Sequence, residues 1–270
     1  MEQAFSEDLG TAGDLTTNAL VDERRMATGV VVFKSEGRVA GLSLAEAAFR
    51  HLDPRVKFEP RTSDGADLDV GDEAAEVSGP ARGILAAERV ALNLLGRMSG
   101  IATATRQLVR VVAGTGARIS DTRKTTPGMR AWEKDAVRVG GGVNHRMGLW
   151  DAVLIKDNHL ALVGSAAGAV RKAREGTGGG VRVIVEVSAL GELDEVVAAG
   201  PDVILLDNMT LGQMSEAVRR VGGRVTLEAS GGVSPANVRS VAETGVDIIS
   251  TGWVTHSAPA VDVSLRFSGV

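Results

Sequence analysis

The sequence predicts an α/β protein in two parts: a mixed α+β N-terminal region, then a barrel of parallel strands with helices between them. Three observations predict it. Short apolar runs recur from about residue 117, every run ends on polar or charged residues, and helical segments separate the later runs. Parallel strands buried on both faces read as continuous apolar runs, and the helices between them are the crossovers that parallel pairing demands. The first hundred residues show no such repeat.

Residues 29–34 (GVVVFK) predict a strand, 44–51 a short helix and 56–60 another short strand. Residues 64–72 form an acidic, turn-rich loop. Residues 84–95 carry apolar side chains at helical spacing, with Glu88, Arg89 and Asn93 on other faces. The strand units follow. Residues 117–120 lead into Asp121 and Arg123, 152–155 into Lys156 and Asp157, and 181–185 into Glu186. Residues 203–206 lead into Asp207 and Asn208, 224–227 into Glu228, Ser230 and two glycines, and 246–249 into Ser250, Thr251 and Gly252. Helical segments are expected at 160–175, 190–199, 211–221 and 235–244. A doubly wound open sheet shares part of this pattern. A polar edge running over six or seven strands favours the barrel, whose ligands bind at that edge. The first domain is placed at residues 1–100, with 260–270 returning to it, and the barrel at 101–259.

Composition narrows the function. A chain of 270 residues has room for a sizeable core. No apolar run approaches the ~20 residues of a membrane span, and no basic-then-apolar leader is read at the start, so secretion is not expected. Cysteine is absent, which excludes disulfides, thiolate metal sites and cysteine nucleophiles and agrees with a cytoplasmic protein. Tyrosine is absent and aromatics make up 3%, which argues against base-stacking platforms. The 34 glycines point to tight turns and close backbone approaches.

Against a net charge of −4, residues 120–159 gather Arg123, Lys124, Arg130, Lys134, Arg138, His145, Arg146, Lys156 and His159. A local cluster of cations in an acidic chain suits a small, multiply charged anion; a nucleic acid would call for a basic surface over a whole domain. Guanidinium forks bind carboxylates and phosphates bidentately, and lysine acts as a point charge. For Arg130, Lys134 and Arg138 the competing reading is solvated surface charge, and for His145 a satisfied structural histidine. Lys156, at a strand end, could bind phosphate or form a Schiff base. Glu186 and Asp207 end successive strands, where a carboxylate pair could hold Mg²⁺ or face a sugar carbon gaining positive charge. Pairing with nearby cations is the alternative for both. The segment 230–232 (SGG), before a helix expected near Ser234, and Thr251–Gly252 after the last strand read as two phosphate-sized loops. Arg89 is either a surface arginine or one donated into a neighbour's cleft.

Several segments resemble one family in order along nearly the whole chain: 7–10 (EDLG) with 13–17 (GDLTT), 88–93 (ERVALN), 99–103 (SGIAT), 121–128 (DTRKTTPG), 140–146 (GGGVNHR), 154–159 (LIKDNH), 185–187 (VEV), 206–208 (LDN), 230–232 (SGG) and 255–257 (THS). The chain is similar to the quinolinate phosphoribosyltransferases. The resemblance implies a Mg²⁺-dependent enzyme in which quinolinate displaces pyrophosphate from 5-phosphoribosyl 1-pyrophosphate and loses CO₂, giving nicotinate mononucleotide for NAD biosynthesis. It implies an N-terminal α/β sandwich, a seven-stranded α/β barrel, and a homodimer or higher assembly. By the same resemblance, Arg123, Lys124, His145 and Arg146 bind the quinolinate carboxylates, Thr122 is a further substrate-binding residue, and Arg89 arrives from the partner subunit. Lys156 contacts substrate and pyrophosphate, Glu186 and Asp207 lie near ribose and metal, and Ser230, Gly231, Gly232, Thr251, Gly252 and Trp253 hold the 5′-phosphate. Lys124, Lys156, Glu186 and Asp207 are the expected catalytic residues. Two departures stand out: Trp253 occupies a place where a small residue is usual, and the N-terminal helix is short. Rival readings are a phosphoribosyltransferase with another acceptor (nicotinate, or that of a molybdenum-transport-associated paralogue), a Schiff-base lyase using Lys156, and a non-catalytic binder of phosphorylated metabolites.

Overall fold

The structure, a computed structural model, describes residues 1–267. The chain forms two compact units, one built from Met1–Ala104 together with the chain from Ala258 onward, the other from Thr105–Ser257. The first unit opens with α1 (Glu2–Leu9) and α2 (Leu15–Leu20). Asp14 caps α2, its carboxylate accepting the Thr17 N–H at 2.9 Å, which satisfies a donor the helix cannot. Then come β1 (Met26–Phe33), β2 (Gly37–Arg38), α3 (Leu42–Leu52), β3 (Lys57–Pro60), β4 (Asp67–Leu68), β5 (Glu73–Pro80) and α4 (Ala81–Val111), whose residues from Thr105 onward belong to the second unit. Phe49 of α3 and Phe58 of β3 stack at 6.0 Å within this unit's core. The 31-residue α4 far exceeds the segment predicted at 84–95. Gly96 and Gly100 do not end it, because burial of residues such as Leu95, Met98, Ile101 and Leu108 outweighs glycine's weak helix propensity.

The second unit alternates strands and helices: β6 (Arg118–Ser120), α5 (Arg130–Val139), β7 (Val153–Ile155), α6 (Asp157–Val163), α7 (Ala166–Thr177), β8 (Val183–Val187), α8 (Leu193–Ala199), β9 (Val203–Asp207), α9 (Leu211–Val221), β10 (Thr226–Ser230), α10 (Val238–Ala242), β11 (Ile248–Ser250) and α11 (Trp253–His256). The helix expected over 160–175 is two helices. Gly164, at φ 101°, ends α6, and the Ser165 hydroxyl caps α7. The strands form one parallel sheet in the order β6-β11-β10-β9-β8-β7. β8 is buried at every position, and Ile184, Val203 and Leu205, with Leu154 against them, make an apolar cluster.

Seven strands were expected; six are present among the described residues. In place of a seventh strand, Val143 makes a single parallel bridge to Ser120. The next amides have other acceptors: the His145 N–H donates to Asp121 Oδ1 at 2.9 Å and the Arg146 N–H to its neighbour's ring, His145 Nδ1, at 2.9 Å. A ladder cannot extend through N–H groups already bonded to side chains. After α11 the chain returns to the first unit as β12 (Val263–Phe267), antiparallel to β1, giving the sheet order β12-β1-β5-β3. The expected return of 260–270 is described as far as Phe267; residues 268–270 lie outside the described residues.

Candidate active site

A cavity of about 740 Å³ opens at the C-terminal ends of the parallel strands. Of the residues singled out from sequence, Thr122, Arg123, Lys124, His145, Arg146, Lys156, Asp207, Ser230, Gly231, Gly232, Thr251, Gly252 and Trp253 all line it. Glu186 does not line the cavity, yet its Oε2 accepts from Lys156 Nζ at 3.2 Å, so it stands behind a lining residue. Arg89 is not a lining residue and is exposed on α4.

Helix α5 braces the loops that line the cavity without lining it itself. Lys134 and Asp121 form an ion pair, both fully buried. Asp121 also accepts from Asn144 Nδ2 and from the His145 N–H, while Lys134 Nζ donates to the His145 carbonyl at 3.0 Å. Burial pushes the Asp121 carboxyl up and the Lys134 ammonium down, and each partner's charge opposes the other's shift. Buried Glu133 accepts from Thr126 N–H and Oγ1 at 3.2 and 2.7 Å. Arg130 donates to Thr125 Oγ1 at 2.9 Å and to the Met147 carbonyl at 3.2 Å. The helix therefore ties down both segments that carry the cavity's cations. The open choice on its own cations resolves against the cavity. Lys134 is a buried internal partner, Arg130 a link between loops, and Arg138 an exposed charge paired with Asp135.

Arg123, Lys124 and Arg146 differ. Among the described residues none has a carboxylate at ion-pair distance. Arg146 is 8% exposed, its Nη1 donates to the Ala152 carbonyl at 2.8 Å, and its buried Nε has no partner. Burial and the charge of Arg123 both lower its pKa. Buried guanidinium left unpaired is costly, and an anionic ligand would supply the missing acceptor.

On the adjacent strands β8 and β9, Glu186 and Asp207 present carboxylates. Burial raises the Glu186 pKa; Lys156 opposes the rise and Asp207 adds to it. Asp207 Oδ2 also accepts from Asn208 Nδ2 at 2.7 Å. Asn208 has φ 51°, the only positive φ outside glycine among the described residues, and a non-glycine residue there is uncommon. Its side chain fills the space beside Gly231, where a Cβ would fall 2.1 Å from Asn208 Oδ1. Gly252 is crowded likewise, since a Cβ there would meet His256 and Lys124 at 2.8 and 2.9 Å.

The loop after β10 corrects one expectation. α10 begins at Val238 rather than near Ser234 and is only five residues long. The 230–232 loop is fastened by Asn237, whose Oδ1 accepts the Ser234 N–H at 2.9 Å and whose Nδ2 donates to the Gly232 carbonyl at 3.0 Å. Side-chain bonds from Asn237, rather than a helix N-terminus, thus hold the glycines. After β11, the Thr251 hydroxyl donates to the Val233 carbonyl at 2.7 Å and accepts the Trp253 N–H at 3.1 Å, joining the two loops. The half-buried Trp253 lines the cavity.

His145 and Glu228 face one another at 3.4 Å, Nε2 to Oε1. Burial, followed by the charges of Lys134, Arg182, Arg146 and Lys156, lowers the His145 pKa to about 4. The ring is neutral near pH 7, and because Nδ1 accepts the Arg146 N–H, its proton sits on Nε2. His145 is thus both a cavity residue and a satisfied one. Sequence reasoning reached Glu228 and Asn208 only as strand-end neighbours and did not select them. Strand alternation would have found Glu228, two residues before Ser230 and so on the same face.

The comparisons agree with this geometry. Residues 101–266 match the family model described as quinolinate phosphoribosyl transferase, C-terminal domain, and residues 14–99 match the N-terminal domain of the same family. The chain is 45% identical over 272 residues to a nicotinate-nucleotide pyrophosphorylase [carboxylating] of Mycobacterium leprae, covering 98% of this chain and 95% of that one. It is 43% identical over 261 residues to a probable enzyme of the same name from Bacillus subtilis, covering 97% and 90%. The solved nicotinate-nucleotide pyrophosphorylase of Francisella tularensis superposes with a TM-score of 0.95 at 37% identity, covering 99% and 94%. With cations, the strand-end carboxylate of Asp207 and glycine loops meeting in one cavity, and with both family models matched in order, the chain belongs to the quinolinate phosphoribosyl transferase family.

Proposed function

We propose that this protein transfers the phosphoribosyl group of 5-phosphoribosyl 1-pyrophosphate to quinolinate with loss of CO₂, giving nicotinate mononucleotide and pyrophosphate. One observation carries the proposal: unpaired cations from two loops share a cavity with a strand-end carboxylate and two glycine loops. The dicarboxylate belongs with Arg123, Lys124 and Arg146, with neutral His145 in the same wall. The 5′-phosphate belongs with Ser230–Gly232 and Thr251–Trp253. Lys156 meets the pyrophosphate. As pyrophosphate departs, the sugar carbon becomes cation-like, and Asp207 and Glu186 stabilise that charge. Charge-assisted hydrogen bonds are worth roughly 1.5–3 kcal/mol each, so removing one should be visible in rate.

Mg²⁺ is the proposed metal. Glu186 and Asp207 lie near enough for Asp207 to raise the Glu186 pKa, and among the described residues no cluster of three or more potential ligands forms a cage. Those residues fit an ion that takes one or two carboxylates and completes its shell with phosphate oxygens and water. Bound there, Mg²⁺ would supply countercharge for the pyrophosphate.

A cytoplasmic location agrees with a cysteine-free chain in which no described helix is long and apolar enough to cross a membrane. The proposed assembly is a homodimer in which Arg89 reaches the partner's cavity. Its exposure on α4, and the exposed Leu15, Leu20 and Met26 of the same unit, support an interface.

The decisive assay measures pyrophosphate and CO₂ release with quinolinate and, separately, with nicotinate. Both products with quinolinate, and none with nicotinate, are expected; turnover of nicotinate alone removes the assignment. Mixing Arg89→Ala with Lys156→Ala should restore part of the activity that each has lost, through hybrid dimers. No recovery would argue for a self-contained cavity. The Schiff-base reading is disfavoured by the Lys156–Glu186 ion pair.

A further inference from the structure

We infer that the Glu228 carboxyl group donates the proton that replaces the carboxylate lost as CO₂. The inference rests on the quinolinate reaction proposed above. That reaction consumes a proton. When the bond between ring carbon and carboxylate breaks, CO₂ leaves without the bonding electrons, and the pair stays on the carbon beside the positively charged ring nitrogen. A proton must reach that pair before CO₂ recombines with it. The donor becomes a carboxylate and takes a proton back from water between turnovers.

Glu228 is built for this step. It lines the cavity, is 1% exposed, and neither of its oxygens has a hydrogen-bond partner among the described residues. Ser250 lies close enough to act on its titration but makes no well-aligned bond to it. The Ser250 hydroxyl turns to the Ala229 carbonyl at 3.5 Å, and Leu205 is its cross-strand partner. His145 faces it at 3.4 Å with a neutral ring whose proton is on Nε2. Oε1 is the oxygen that faces the ring, so Oε2 is the one free to carry an acidic proton. Burial, reinforced by the charge of Asp121, raises the Glu228 pKa, while Ser250 and Arg182 oppose the rise. A carboxyl buried without compensating bonds favours its protonated form, the form a proton donor needs. The cavity's arginines, Lys156 and His256 are less suited. Arginine does not give up protons in proteins, and Lys156 is paired with Glu186. His256 Nδ1 lies 2.7 Å from the Ser257 hydroxyl, on an exposed ring.

The test follows pyrophosphate and CO₂ together, using carboxyl-labelled quinolinate. Wild-type enzyme should release them in step; release of neither would sink the proposed function itself. In Glu228→Gln, CO₂ release should fall by about a hundredfold, the scale of general acid catalysis. Pyrophosphate release in the first turnover should fall far less, and the undecarboxylated mononucleotide should accumulate. Glu228→Asp, which keeps an acid, should recover part of the CO₂ rate. If both products fall in step with no accumulating adduct, or if neither falls, Glu228 is not the donor. Should neither variant fold, the wild-type pH profile decides. Donation by Glu228 requires CO₂ release to slow before pyrophosphate release as the pH rises, and identical profiles overturn it.

Discussion

Two sets of cations share the loops around helix α5, and the fold treats them in opposite ways. Lys134 is buried and neutralised by Asp121, with Asn144 and the His145 amide completing the acceptor's bonds. Arg123, Lys124 and Arg146, on the loops which that network fastens, have no carboxylate partner among the described residues. The contrast separates holding from binding. A satisfied ion pair spends its field inside the protein and fixes geometry; unsatisfied cations keep theirs for a ligand.

The strongest way to break this contrast is to remove Lys134. Lys134→Met should destabilise the fold by about 3–5 kcal/mol, because Asp121 is left as a buried, under-compensated charge. A thermal melt should register a fall on the order of 10 °C. Adding Asp121→Leu should recover part of the loss, and a single variant with wild-type stability would show that the pair supports nothing. Arg123→Ala sharpens the other side. It should lose about tenfold or more in kcat/KM with quinolinate, or ~1.5 kcal/mol, while stability stays within about 0.5 kcal/mol. A melt lowered as far as that of Lys134→Met would erase the distinction. The smallest effect concerns His145, which touches both sets. Its folded pKa, about 4, lies below the ordinary 6.5, so acid favours the unfolded chain, which takes up the proton first. Its contribution is intact above pH 6.5 and is lost as pH falls toward about 4, roughly 1 kcal/mol by about pH 5.5. Denaturant melts of wild type and His145→Gln compared at pH 7 and at pH 5.5 should diverge by about this amount; parallel curves would place the titration elsewhere.

How much of this was legible in the sequence depends on range. The strand ends could be read because polar residues after apolar runs are a local pattern, and much of the cavity lining comes from those positions. The cations of residues 120–159 could be read as a cluster but not sorted. Lys134 and Arg146 look alike until the fold turns one toward Asp121 and leaves the other's Nε bare. The seventh strand failed because the amides of His145 and Arg146 bond to side chains, a choice that apolar patterning does not report. The helix expected at Ser234 failed because Asn237 folds back on Gly232. Trp253, a departure from the family pattern yet still expected at the phosphate loop, lines the cavity; what the sequence left open was the orientation of its ring.

The missing seventh strand has a mechanical consequence. Among the described residues no strand pairing joins the 143–146 segment to β7; instead Arg146 Nη1 donates to the carbonyl of Ala152, the residue just before β7. A hydrogen-bonded ladder resists shear along its whole length, whereas a lone guanidinium is a latch. Because the same guanidinium lines the cavity, an anion seated on it would stiffen this joint, so that occupancy and rigidity rise together.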